Sequence, residues 1–149
     1  MNYTKGNILE SNTEVIINPV NTVGVMGKGL ALQFKQKFPT NYKIYKEACK
    51  NKTIDIGKLL LVDESNLERK KFIINFPTKK HWRNPSKIEY IEEGLKDLVR
   101  IIETQKVESM AIPALGCGLG GLEWANVRLL LEKYLSNLEG IEIIIFEPN

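Results

Sequence analysis

Short apolar runs rich in β-branched residues alternate along this chain with longer segments of helical period. Strands that are covered on both faces read as near-continuous hydrophobic runs, so the alternation is typical of an α/β fold on a buried, largely parallel sheet. It predicts five strands, at residues 13–18, 57–62, 72–76, 109–113 and 141–147. The N-terminal piece, residues 3–8, is a candidate for a further strand at the edge of the sheet.

Four segments between these strands have helical patterns, at residues 30–38, at 41–51, in the stretch after Ser86, and at 124–135. In the third, apolar residues recur every three or four positions and form one stripe: Ile88, Ile91, Leu95, Leu98 and Ile102. Ser86 and Glu89 have the spacing of a capping box, which predicts that Ser86 is the N-cap of this helix.

The chain has 149 residues, 43% of them hydrophobic, which suits a single domain over residues 1–149 and is too short for two ordinary ones. Its longest apolar stretch is about half a membrane span, and polar residues stand where a signal peptide has its apolar region. We therefore expect a cytoplasmic monomer without a membrane segment. Cys49 and Cys117 lack the spacing of a metal or redox motif, so we expect no metal and no other cofactor.

Two glycine clusters hold equivalent positions, each after a predicted strand and before a predicted helix. They are residues 24–29, called here the first glycine loop, and residues 116–121, the second glycine loop. Backbone N–H groups in such turns can approach an anion closely, and a helix N-terminus adds partial positive charge. In an α/β sheet both loops would lie at the carboxyl ends of the strands, where one diphosphate could occupy them together. For either loop alone, a tight turn without a ligand is an equally good interpretation.

Two common nucleotide motifs do not fit these loops. Gly116, Gly118 and Gly121 match GxGxxG, but a Rossmann fingerprint opens a βαβ unit with further strands after it, and here one strand remains. The first glycine loop is too short for a P-loop, and Gly29 stands where Ser or Thr would bind magnesium. The pattern therefore argues against a Rossmann dehydrogenase and against a nucleoside triphosphatase.

Asn18 and Asn21 follow the predicted strand core directly, beside the first glycine loop. Amide side chains there can hydrogen-bond ribose hydroxyls as donors and as acceptors. Turn formation next to Pro19 explains the two asparagines equally well.

Residues 78–86, called here the lysine segment, concentrate positive charge around one tryptophan: the run is Lys79, Lys80, His81, Trp82 and Arg83. Cations that hold phosphates beside an aromatic face that stacks on a base suit single-stranded nucleic acid. The alternative is a solvated loop with Trp82 packed inward. A neighbouring like charge favours the neutral, nucleophilic form of an amine, so the adjacent lysines are also candidates for chemistry.

Taken together, these motifs resemble the macrodomain family over essentially the whole chain. The matching pieces are residues 5–8, 17–21, 24–32 and 112–118. The resemblance implies a three-layer α/β/α fold around a central mixed, mostly parallel sheet. Within the family the chain is most similar to antitoxins that remove ADP-ribose from thymidine in single-stranded DNA. The marks of that branch are residues 21–29, 79–83 and 118–124.

The resemblance also implies a site. Adenine is expected near residues 6–8, the distal ribose near Asn21 and residues 27–29, and the diphosphate between the glycine loops. Lys79 matches the catalytic lysine, with Lys80 as the alternative one position later, and DNA is expected along Lys80, His81, Trp82 and Arg83. The full set of expected ADP-ribose contacts is Gly6, Asn7, Ile8, Asn18, Asn21, Gly27, Lys28, Gly29, Leu115, Gly116, Cys117, Gly118, Leu119 and Gly120.

Two departures from the family pattern bear on the mechanism. Asn7 stands where many macrodomains have an aspartate that recognises the adenine amino group. Gly120 stands where related glycohydrolases that act on protein glutamate pair the lysine with a catalytic aspartate. Lys79 therefore either attacks the anomeric carbon or polarises the scissile bond and orients a water.

The expected function is that of a DNA ADP-ribosyl glycohydrolase, an antitoxin whose partner is a DNA ADP-ribosyltransferase toxin. Two other functions would use the same cleft. One is a non-catalytic ADP-ribose reader, and the other is hydrolysis of a small metabolite derived from ADP-ribose.

Overall fold

The computed structural model describes residues 1–149, and its six strands form one sheet. The strands are β1 (Asn2–Thr4), β2 (Val15–Asn21), β3 (Leu60–Asp63), β4 (Phe72–Lys79), β5 (Ser109–Ile112) and β6 (Glu142–Phe146). Their order across the sheet is β1-β6-β5-β2-β4-β3, and β3 alone runs antiparallel to its neighbour. The predicted mixed, mostly parallel sheet with an N-terminal edge strand is confirmed.

Four helices cover the two faces of this sheet: α1 (Gly29–Lys37), α2 (Pro39–Lys50), α3 (Ile88–Gln105) and α4 (Trp124–Leu135). Side chains alternate along β2, so Val15 and Ile17 join a core with α3 and α4, whereas Ile16 packs with Phe34 of α1. A third cluster seats Tyr45 of α2 over Val20. The fold is therefore α1 and α2, then the sheet, then α3 and α4, which is the predicted three-layer arrangement.

β2 and β4 are longer than predicted, because both continue through a proline. Pro19 lies inside β2 and Pro77 inside β4, and the two strands remain paired beyond them. β5 pairs only with Val15 and Ile16, so the part of β2 that contains Pro19 has no neighbouring strand on that side. A proline there lacks an N–H but breaks no hydrogen bond between strands. Lys79 is consequently the last residue of a strand and not part of a loop.

Ser86 does not cap α3, contrary to the capping-box prediction. The helix begins at Ile88, and its N-cap is Lys87, which makes no side-chain cap hydrogen bond. Ser86 lies one residue earlier and is buried, with its backbone N–H donating to the Gly120 carbonyl at 3.0 Å. The contact with the second glycine loop thus takes Ser86 away from the helix terminus.

No helix has the length and apolar character that a membrane crossing requires. No three His, Cys, Asp or Glu side chains group together in a way that could hold a metal ion. Cys49 and Cys117 are free and half-buried.

Candidate active site

A cleft of about 1410 Å³ opens at the carboxyl edge of the parallel strands. Both glycine loops border it, together with Thr78, Lys79 and residues 82–85. Residues 6–8, after β1, and residues 146–149, at the end of β6, close one side. The carboxyl ends of five strands therefore meet at this cleft, as expected for a ligand site on a sheet of this kind.

Most of the predicted ADP-ribose contacts lie together on this cleft. Twelve line it: Gly6, Asn7, Ile8, Asn21, Gly27, Lys28, Gly29, Gly116, Cys117, Gly118, Leu119 and Gly120. Lys79, Trp82 and Arg83 line it as well, whereas Lys80 and His81 do not. The two remaining predicted contacts, Asn18 and Leu115, have fully buried side chains.

Asn18 faces the α2 layer and not the cleft, because β2 runs three residues beyond it. Its amide donates to Asn75 Oδ1 at 3.1 Å, and Asn75 exchanges hydrogen bonds with Asn41 of α2. This buried amide cluster joins β2, β4 and α2. Leu115 is likewise part of the core, in the cluster that lies under α3 and α4.

Asn21 organises the first glycine loop. Its Oδ1 accepts from the backbone N–H groups of Val23 and Val25, and its Nδ2 donates to the Val25 carbonyl at 2.7 Å. The hydroxyl of Tyr45, which is fully buried, lies 2.8 Å from the Asn21 carbonyl and 2.9 Å from Oδ1. Asn21 thus reaches the cleft with its oxygen committed to the loop and one amide N–H left for a ligand.

The N-terminus of α1 opens into the cleft without a cap. Its N-cap, Lys28, makes no side-chain cap hydrogen bond, and Gly29 has the positive φ of 60° that glycine tolerates. Gly29, Leu30 and Ala31 line the cleft, and their N–H groups have no partner within the protein. Free donors at a helix N-terminus form a natural phosphate site.

The second glycine loop offers a second row of donors. Gly118, Leu119 and Gly120 line the cleft, and their consecutive N–H groups have no partner within the protein. α4 begins only at Trp124 and does not reach the cleft, so its N-terminus adds nothing, contrary to the symmetrical picture that the sequence suggested. The second loop therefore acts as a nest of backbone donors and the first as a helix terminus.

The Lys79 ammonium spans the gap between β4 and the second glycine loop. Its Nζ donates to the Leu119 carbonyl at 3.2 Å and to the Trp82 carbonyl at 3.5 Å. The β2–β4 register shifts here, since Val20 pairs with Pro77 and Asn21 with Lys79, which leaves Thr78 as an extra residue. Such bulges re-aim side chains next to functional sites.

Gly120 leaves no space for the aspartate that the family resemblance led us to look for at this position. A Cβ there would lie 2.3 Å from Ser86 Oγ and 2.5 Å from the Gly116 carbonyl oxygen. Ser86 Oγ is buried and has no hydrogen-bond partner. The one acidic side chain that lines the cleft is that of Glu147, which lies among residues 146–149 and not beside Lys79.

The lysine segment divides into two parts. Trp82 is 43% exposed at the cleft, and the Arg83 guanidinium stacks over its ring at 4.6 Å. His81 Nδ1 accepts from the Arg83 backbone N–H, and Lys80 turns toward the ring of Tyr90. The inward-packed alternative for Trp82 is therefore wrong, since the side chain is exposed at the cleft with Arg83 stacked on its ring.

The opposite end of the cleft contains Asn7 and a segment that the sequence motifs did not indicate. Asn7 Oδ1 accepts from the Leu9 N–H at 3.0 Å and so caps the 3₁₀ turn Ile8–Glu10. Phe146 lies opposite Thr4 in the β1–β6 pairing and lines the cleft with the three residues after it. The position of residues 146–149 at the carboxyl end of a parallel strand is the signal that could have identified them.

Cys117 lines the cleft but is a poor nucleophile. Burial raises the pKa of its thiol to about 11, and Sγ lies 3.6 Å from the Leu115 carbonyl. A thiol with this pKa stays protonated at neutral pH.

Comparisons with known proteins agree with this geometry. The family model of the Macro domain matches residues 17–131. A DNA ADP-ribosyl glycohydrolase of Thermus aquaticus is 50% identical over 99% of this chain and 41% of its own length. The corresponding protein of Mycobacterium tuberculosis is 47% identical over 99% of the chain and 42% of its own length. A Thermosipho africanus DNA ADP-ribosyl transferase-DNA ADP-ribosyl glycohydrolase fusion protein is 39% identical, again over 99% and 42%.

Solved structures from the same three organisms superpose closely. The macrodomain of T. aquaticus DarG has a TM-score of 0.94 and that of M. tuberculosis DarG 0.96, at 50% and 47% identity, each over 99% of this chain and 97% of the other. T. africanus DarTG in complex with ADP-ribose has a TM-score of 0.92 at 42% identity, over 99% of this chain and 42% of that one. The chain thus spans about two fifths of the length of the curated relatives it matches.

Proposed function

This chain belongs to the macrodomain family, and we propose that it removes ADP-ribose from thymidine in single-stranded DNA. The main observation behind this proposal is the position of the Lys79 ammonium. It lies at the junction of β4 and the second glycine loop, on the wall of a cleft that has two rows of free backbone donors. Relatives that are 47–50% identical over nearly all of this chain are named DNA ADP-ribosyl glycohydrolases.

The two rows of donors support a diphosphate site between the glycine loops. The N–H groups at the start of α1 and those of residues 118–120 supply donors without any metal, and Lys28 adds a cation. Adenine then lies between residues 6–8 and Phe146, whose ring provides a face for stacking. The distal ribose reaches Asn21, which leaves its anomeric carbon beside Lys79.

We assign Lys79 the role of a hydrogen-bond donor and not of a nucleophile. Its ammonium already donates to two carbonyl oxygens, which leaves one N–H for the substrate. A nucleophilic amine must first lose a proton, and no carboxylate or imidazole lines this end of the cleft to accept it. In the proposed reaction the bond from the anomeric carbon to the thymine nitrogen breaks and water oxygen bonds to that carbon. The water proton goes to the thymine nitrogen.

The biological partner follows from the same relatives. The T. africanus protein carries transferase and glycohydrolase in one chain, which supports a DarT-like toxin as the functional partner of this macrodomain. The proposed role is that of an antitoxin, which restores thymidine after the toxin has modified it. A cytoplasmic monomer, as expected from the sequence, suits this role.

The direct test uses an oligonucleotide that carries ADP-ribosylated thymidine. Lys79→Ala is expected to slow the release of ADP-ribose by about 100-fold or more while ADP-ribose still binds, because the donor acts on the departing base. Lys80→Ala, the matched control, should raise KM and leave kcat nearly unchanged. Equal rates for wild type and Lys79→Ala would remove Lys79 from the mechanism. Tight binding of ADP-ribose by wild type with no turnover of modified DNA would instead indicate a reader.

A further inference from the structure

Charge is distributed very unevenly along this chain. Residues 15–46 and 69–88 contain twelve of the 21 Lys and Arg residues and none of the 18 acidic ones. The first stretch covers β2, the first glycine loop, α1 and most of α2, and the second covers β4 and the lysine segment. A net charge of +3 therefore conceals a basic side next to the cleft, to which Arg69, Lys70 and Lys71 do not belong, because they precede β4 and lie at the opposite end of the strands.

The basic side includes a surface that the ADP-ribose cleft does not use. Lys43, Lys46 and Lys50 share one face of α2, called here the α2 face, since they are spaced three and four residues apart. With Thr22, Val23, Glu47 and Cys49 they line a separate depression of about 600 Å³, in which Glu47 is the one acidic residue. The three lysines take part in no ion pair, whereas four of the five ion pairs of the molecule lie on α3 and α4.

This depression is continuous with the lysine segment. The backbone N–H and the hydroxyl of Thr22 both donate to the Lys80 carbonyl, at 3.3 and 2.7 Å. Gly24 packs against α2, so that a Cβ there would lie 3.6 Å from Lys46 Cγ. From Lys79 the surface thus runs in two directions, along the lysine segment to Trp82 and Arg83, and across Thr22 and Val23 to the α2 face.

The chemistry of the substrate requires two such directions. A modified thymidine inside a DNA strand has a 5′ flank and a 3′ flank, both polyanionic, and both must leave the cleft when the nucleotide enters it. The lysine segment can hold one flank, with Trp82 as a stacking face. Val23, which is 46% exposed, offers apolar surface beside the lysines of the α2 face for the other.

We propose that the α2 face, with Thr22 and Val23, is the second arm of a single-stranded DNA interface and holds the flank that the lysine segment does not. This inference rests on the proposed function, because it starts from a DNA substrate with the modified nucleotide in the cleft. The surface is matched to phosphates along a flexible strand, since three unpaired ammonium groups on long side chains can follow a backbone without reading its sequence.

The first test measures binding of unmodified single-stranded oligothymidine by fluorescence anisotropy over a range of salt concentrations. In Lys43→Gln/Lys46→Gln/Lys50→Gln the affinity at low salt should fall by about 10-fold, and the slope of log K against log salt should become shallower by about 2, since each phosphate contact on a single strand contributes about 0.7. ADP-ribose binding should be unchanged, which shows that the cleft is folded. The matched control, Lys70→Gln/Lys96→Gln/Lys133→Gln, removes the same charge from other faces and should bind DNA like wild type.

The second test places the modified thymidine at the 5′ end, at the 3′ end or in the middle of the oligonucleotide. The triple variant should lose kcat/KM on the internal substrate and on one terminal substrate, and act like wild type on the other. Equal binding and equal salt slopes in variant and wild type would overturn the proposal, and the α2 face would then suit an acidic protein instead. Equal losses on both terminal substrates would also overturn it, because they would indicate a general charge effect. Failure of wild type to act on any modified DNA would refute the proposed function, whereas the binding comparison tests the α2 face independently.

Discussion

At the scale of single residues, Gly120 is constrained by its neighbour and not by its own conformation. The Cβ of an alanine there would overlap Ser86 Oγ at 2.3 Å, whereas a Cβ at Gly118 would meet nothing within 4 Å. We expect Gly120→Ala to lower the free energy of unfolding by about 1–3 kcal/mol, the usual cost of overpacking. Gly118→Ala, the matched control, should change it by less than about 0.5 kcal/mol. Urea denaturation measures both, and equal stabilities would show that the loop moves aside freely.

Asn7 gives a second prediction at this scale. Its one side-chain oxygen already accepts from the Leu9 N–H, so the adenine amino group would have to share that acceptor. Asn7→Asp keeps the cap with one oxygen and supplies a second, so we expect calorimetry to show ADP-ribose binding about 2- to 10-fold more tightly. The analogue with hypoxanthine in place of adenine lacks the amino group and should gain nothing. A gain for both ligands would assign the effect to something other than the amino group.

At the scale of elements, α2 holds the first glycine loop through one hydroxyl. Tyr45 reaches both oxygens of Asn21, which in turn binds the N–H groups of Val23 and Val25. Tyr45→Phe should therefore weaken ADP-ribose binding about 3- to 10-fold, because the loop loses its fixed shape, and should reduce stability by about 1 kcal/mol. Tyr42→Phe on the same helix removes a hydroxyl that makes no hydrogen bond and serves as the control. Unchanged ADP-ribose affinity in Tyr45→Phe would separate the loop from α2.

The sequence predicts the elements of this fold well and predicts their ends poorly. The spacing of apolar residues along a helix reflects which side of the helix is buried, and so α4 has the predicted bounds, Trp124–Leu135. The end of β2 depends on how the strand pairs with its neighbours, which the sequence does not show. Because β2 continues to Asn21, Asn21 lines the cleft and Asn18 does not. Ser86 contacts Gly120 across 34 positions of sequence, and no local pattern encodes such a contact.

At the scale of the whole molecule, each end of the parallel strands has a lysine ammonium, one at the open cleft and one buried. At the carboxyl edge the Lys79 ammonium lies at the wall of the open cleft. At the other edge Lys71 is 2% exposed, and its ammonium donates to the carbonyls of Ser11 and Thr13 just before β2. One ammonium thus lies at the open cleft, whereas the other is buried against the start of the central strand.

The buried Lys71 makes the free energy of unfolding depend on pH in the alkaline range. Burial, with Arg69 and Lys37 nearby, lowers the pKa of Lys71 to about 8 from an ordinary value near 10.5. Between those two values the unfolded chain binds a proton that the native state has released, so the free energy of unfolding rises with pH, by at most about 1.4 kcal/mol per unit. Below pH 8 both states are protonated and this contribution is constant.

The measurement compares wild type with Lys71→Met by urea denaturation from about pH 7 to pH 10. Tyrosines and other lysines titrate in both proteins, so they cancel in the difference between the two stabilities. That difference should shift in favour of wild type as the pH passes 8. A difference that stays constant over the whole range would mean that the two carbonyls hold the ammonium strongly enough to offset its burial. The start of β2 would then be fixed by a charge that the protein keeps at every pH tested.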